Sequence, residues 1–214
     1  NSVAGNTVLG ESALDASVSG GNNTALGNNC LTANTSGEQG VGVGQQALAS
    51  NTTGNFNTAV GRSALNANTT AAHNTAIGYF SLDTNTTGAS NTAVGSGSLQ
   101  LSTTADNNTA VGKNALKQNT TGYSNVAVGA LSLDANTTGN ENVGIGYQAL
   151  GANTTGGLNV AVGQNALDAN TTGVQNVAVG QGALSDNSTG NYNTAAGRSS
   201  LGSNTTANNN TAYG

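Results

Sequence analysis

The chain has 214 residues and a formal net charge of −5, and only 6% of its residues are charged, so its surface has to be built from Asn, Thr, Ser, Gln and Gly. Its cations are Arg62, Lys113, Lys117 and Arg198, too few and too scattered to grip a phosphate backbone, which excludes nucleic acid as a partner. A single cysteine excludes a disulfide framework, and no apolar run approaches the ~20 residues of a membrane helix.

The chain opens irregularly. Asn1 to Gly5 is a shifted echo of a motif whose true register starts with Asn6 to Gly10, and the first turn reads Ser17-Val18-Ser19-Gly20. From Asn23 the chain settles into a seventeen-residue unit, Asn-(Thr/Val)-Ala-(Val/Ile/Leu)-Gly-x-x-(Ala/Ser)-Leu-x-Ala-Asn-Thr-Thr-Gly-x-x, which reaches Gly214 without insertion or deletion. Such a fixed period decides architecture before any local signal does. Ser102 stands where the other units have Asn, and Ala196 and Tyr213 take the Val slot of the last units. The regularity predicts one continuous array over 1–214, of about twelve coils with an irregular first coil at 1–22. Because the array runs off both ends, a segment of a longer chain is expected.

Glycines and the Asn-Thr run are poor helix formers. The alternation of Thr58 and Val60 with Ala59 has the period of two of a strand, and Asn-Thr-Thr-Gly has turn chemistry. Each unit is therefore read as two short strands joined by two turns, and the fold class as all-β, a parallel β-solenoid or β-roll with coils ~4.8 Å apart. Leucine is constant at Leu31, Leu48, Leu65, Leu82, Leu99, Leu116, Leu133, Leu150, Leu167 and Leu184, which predicts a core ladder shared with inward Val. The opposite, uniformly small face (Ala25, Ala59, Ala76, Ala93, Ala110) is then where another backbone can approach. It predicts self-association, as a trimer or an end-to-end filament. The constant closing glycine predicts a positive φ or a close backbone approach.

No residues assemble into catalytic or cofactor chemistry, and no enzyme is expected. Cys30 fills a slot held elsewhere by Ala or Ser and reads as a small packed side chain. His73 occupies a freely varying corner. Asp15, Asp83, Asp134 and Asp168 share a slot but not regularly adjacent coils, so they form no calcium ladder. Asn34, Asn51, Asn68, Asn85, Asn119, Asn136, Asn153, Asn170, Asn187 and Asn204 each begin an Asn-x-(Ser/Thr) triplet. They read either as N-glycosylation acceptors or as a ladder capping the turns. Modification of Thr52, Thr53 and their equivalents is equally open.

Units such as Asn57-Thr58-Ala59-Val60-Gly61, Ala64-Leu65 and Asn68-Thr69-Thr70 resemble the repeat arrays of phage-type tail-fibre proteins. Asn125-Val126-Ala127-Val128-Gly129 is similar to the signature of trimeric autotransporter adhesin heads. The resemblance covers essentially the whole chain, although the adhesin heads have a shorter coil. It implies a left-handed β-roll, commonly trimeric, displayed outside the cell or on a virion. The expected function is thus a rigid structural module in an extracellular fibre, filament or tail fibre, adhesive at its variable corners and carrying glycans on its triplets. The alternative is a solenoid that binds ice or carbohydrate without catalysis. Ice binding is disfavoured, because a strand slot that accepts Thr and Val alike reads as packed.

Overall fold

The computed structural model describes residues 4–16 and 18–214; Asn1 to Val3 of the opening echo and Ser17 of the first turn lie outside them. The described residues form an all-β solenoid of about twelve turns, with thirteen parallel three-residue strands spaced seventeen residues apart. It divides into two compact units, one ending at Asn107 and the other beginning at Asn108.

The first unit holds β1 (Thr7–Leu9), β2 (Thr24–Leu26), β3 (Val41–Val43), β4 (Thr58–Val60), β5 (Thr75–Ile77) and β6 (Thr92–Val94). They pair in chain order and in register, Thr58 with Thr75 and Val60 with Ile77. The second unit repeats the arrangement with β7 (Thr109–Val111), β8 (Val126–Val128), β9 (Val143–Ile145), β10 (Val160–Val162), β11 (Val177–Val179), β12 (Thr194–Ala196) and β13 (Thr211–Tyr213).

Each coil has one strand where the sequence predicts two. Past Gly61 the backbone turns instead of extending: the Ala64 amide donates to the Gly61 carbonyl at 3.3 Å, with Ser63 at φ 55° in the third position of the turn. Leu65 follows at φ 50°, and the Asn68 amide donates back to its carbonyl at 3.3 Å. A stretch whose φ changes sign from residue to residue cannot form a pleated strand. It still bonds between coils, Leu65 N to Ser81 O at 3.1 Å and Ala67 N to Asp83 O at 2.9 Å. A left-handed leucine costs about 1–2 kcal/mol, which burial of its side chain, worth ~1.5–3 kcal/mol, offsets. All ten leucines of the predicted ladder are buried.

The strand faces are the reverse of the expectation. Ala59 is wholly buried while Thr58 and Val60 stay half-exposed, and the same in-out pattern recurs along the chain. The interior between the strand and the leucine turn is thin. At Gly42 an added Cβ would collide with Cys30 Sγ on the facing wall and reach Leu31 Cδ1 at 3.6 Å, so the interior takes alanine opposite alanine and has no room for a branched side chain. The alanine column is therefore core, and it offers no face to a partner chain. The closing glycine meets both predicted demands: Gly61 has φ 133°, and a Cβ on it would stand 2.5 Å from the Gly78 carbonyl oxygen.

Candidate functional site

The polar side chains that a solenoid of this composition could present to a ligand are largely turned inward, into two asparagine ladders. The first is the triplet column. Asn68 Nδ2 donates to Asn51 Oδ1 at 2.8 Å in the coil before and to Ala71 O at 3.1 Å in its own turn, and its Oδ1 accepts from Asn85 Nδ2 at 3.0 Å. In the second unit Asn136, Asn153, Asn170 and Asn187 repeat the pattern. The side-chain amides of the turns thus link each coil to the next, and they satisfy the turn carbonyls that a buried loop would leave bare.

The second column opens the motif. Asn142 donates its backbone amide to Asn125 Oδ1 at 3.0 Å and its Nδ2 to Gly156 O at 2.8 Å, while its own Oδ1 accepts the Asn159 amide at 3.1 Å. Sequence reasoning missed this inward role, although the constancy of Asn in the slot from Asn57 to Asn210 was its signal. Among the described residues each ladder has one substitution. Gly40 replaces Asn in the second column and keeps only the amide bond to Asn23 Oδ1, at 2.8 Å. Ser102 breaks the first: its Oγ and the Oδ1 of Asn85 are both buried without a partner.

No protein-family model, curated protein or solved structure matches the chain.

The triplet asparagines from Asn34 to Asn187 are buried, and only Asn204, in the last coil, is half-exposed. Its Nδ2 is still engaged, with Asn187 Oδ1 at 2.8 Å and Ala207 O at 3.2 Å. N-glycosylation consumes one hydrogen of the nitrogen that makes these bonds and brings a bulky sugar to it. The folded coil has room for neither change, so these residues are ladder positions. The first turn threonine is also engaged, Thr52 Oγ1 donating to Thr69 O at 3.0 Å, whereas Thr53 is exposed.

The titratable side chains are dispersed. Among the described residues no three of His, Cys, Asp and Glu come together as metal ligands. Burial pushes the Cys30 thiol up to about 11, against a smaller opposing effect of its bond to the Leu26 backbone. His73 is exposed at its corner and stacks on Phe56 of the preceding coil with ring centroids 4.9 Å apart. Arg62 lies over Tyr79 and Phe80, 5.7 Å from each ring centroid. Among the described residues no helix is long and apolar enough to cross a membrane.

What remains outward is the strand face. Its first position is Thr or Val, its third is aliphatic in nearly every coil, and none of these residues is charged. This is the correction to the reading of that slot as packed: Thr and Val interchange there because both lie on an outer β surface.

Proposed function

We propose that the chain is a structural repeat module, a rigid spacer in an extracellular fibre, filament or tail fibre that works by length, stiffness and self-association. The observation that carries this reading is the use made of the polar side chains. Two columns of asparagine, the residues best supplied to bind a ligand, are consumed in bonds between successive coils. A chain that commits its hydrogen-bonding capacity to holding its own units in register is built for mechanical persistence. One coil cannot bury enough surface to stand alone, and each added coil gains a neighbour interface. Location outside the cell follows from the resemblance to tail-fibre and adhesin arrays. Negative-stain electron microscopy of the purified chain tests the reading: elongated particles of uniform width are expected, and compact globular particles overturn it.

A further inference from the structure

The outward side of the strands carries no charged residue, and it is most apolar in the second unit. There β8 to β11 carry Val at every first position and Val or Ile at every third, in register from strand to strand. Val128 is 37%, Ile145 39% and Val179 43% exposed. A buried Val worth ~1.5–3 kcal/mol carries on the order of 100 Å² of apolar surface, so the eight side chains of this patch, none more than 43% exposed, leave at most roughly 300 Å² open. A contiguous patch of a few hundred Å² is about the largest that an ordinary monomer shows, and such patches are often functional. With the flanking strands β7, β12 and β13 and the exposed Tyr147, Gln164 and Gln181 just past the closing glycines, the surface approaches the ~800 Å² per partner of a standard interface. Its make-up, an aliphatic centre with an aromatic and amide rim, is that of a protein contact.

We infer that this Thr/Val strand face is where a second copy of the chain packs, sheet against sheet. The inference rests on the proposed reading of the chain as a self-associating module and adds the face that does it. A second copy is the matching occupant because the surface is uncharged and repeats in register from strand to strand. The same patch on both partners then lets the valine rows of one sheet settle between those of the other, as an isologous contact requires. The alanine column, buried in each coil, is unavailable for this purpose.

The test is sedimentation equilibrium of the full chain, of 20.7 kDa, beside variants of the face. The native chain is expected to associate. Val128→Lys with Val162→Lys, two outward positions, is expected to sediment as monomer, with a dissociation constant raised about a hundredfold or more by the buried charges. Gln164→Lys, at the rim, is expected to leave the mass unchanged. Should the lysine pair fail to fold by circular dichroism, Val143→Thr with Val160→Thr decides the matter, since Thr already stands at that position in β4 and β5. That pair is expected to fold and to associate more weakly. A native chain that is monomeric at every concentration overturns the inference, and thermal hysteresis from such a monomer would assign the face to ice instead. An associated chain that ignores both pairs overturns the assignment of the face and leaves self-association standing. Particle shape in the microscope is independent of all these outcomes.

Discussion

Gly42 lies against the thiol of Cys30, twelve residues earlier, so closely that a methyl group at position 42 would collide with Sγ. The pairing recurs at Gly144, where an added Cβ would stand 2.6 Å from Ser132 Oγ. These are the two strands whose central alanine is replaced by glycine, and the small slot facing each holds Cys or Ser. At these two positions Cys30 Sγ and Ser132 Oγ occupy the space that a methyl takes in other coils; Ser81 and Ser98, which face alanine, turn their Oγ away to Gly78 O and Gly95 O.

Gly42→Ala is therefore expected to cost about 1–3 kcal/mol by overpacking, and Cys30→Ala alone to cost less. The double variant restores the Ala–Ala pairing of coils such as Ala47–Ala59 and is expected to be more stable than the sum of the single changes. A double-mutant cycle by chemical denaturation measures the coupling, expected at roughly 0.5–3 kcal/mol; additive effects would remove the contact from the account.

Ser102→Asn is expected to stabilise the chain. It brings an Nδ2 donor to the orphaned Asn85 Oδ1 and a second bond to the turn carbonyl of Ala105, as the other ladder members have. Satisfying a buried polar group is worth about 1–3 kcal/mol, which for a chain of this length raises the melting temperature by roughly 2–12 °C. Asn68→Ala is expected to do the reverse, since it strips Asn51 Oδ1 of its donor as well as losing its own bonds. Calorimetry on the two variants reads both signs.

Much of this fold is legible in the sequence, and the part that is not has a definable cause. Gly61, Leu65 and their equivalents repeat without exception, so the period, the all-β class and the leucine core could be read directly. Which side of the strand faces inward could not. A period of two separates Ala59 from Val60 without saying which is inside, and hydrophobicity favours the wrong answer. The deciding factor is core thickness, set by left-handed turns at Ser63 and Leu65 that no residue preference announces. The triplet asparagines could be read only as an alternative, sugar acceptors or a turn-capping ladder. Asn51 and Asn68 take the ladder, Asn51 donating to Gly54 O of its own turn and Asn68 to Asn51 Oδ1 of the coil before, and only the position of the neighbouring coil decides between the two.

Peptide mapping of material purified from its native source is expected to show Asn51, Asn68 and Asn136 unmodified. Any sugar is expected on the exposed turn threonines of the Thr53 column, whose hydroxyls lie outside the coil. Glycan on a buried triplet asparagine would require the coil around it to open, and finding it there would overturn the ladder assignment.

The carboxylates of the shared corner slot make stability depend on pH in an unusual direction. Burial raises Asp83, Asp134 and Asp168 above the ordinary 3.8, opposed at Asp83 by a hydrogen bond from Asn66. At Asp134 the charge of Asp168, two coils on, pushes the same way, while Lys117 pulls against it. Gly151 stands between the two and lets Asp168 lean in: a Cβ there would lie 2.9 Å from its Oδ1. A carboxyl that holds its proton more tightly when folded stabilises the fold fully below its unfolded value and loses that contribution as pH rises through the folded one. The melting temperature is thus expected to rise by a few degrees on going from neutral pH to below 3.8, with no acid unfolding from these groups. Because each is only half-buried, solvent screening keeps the effect small. Asp134→Asn with Asp168→Asn is expected to raise the neutral-pH melting temperature and flatten the profile; a variant as pH-dependent as the native chain would place the effect elsewhere.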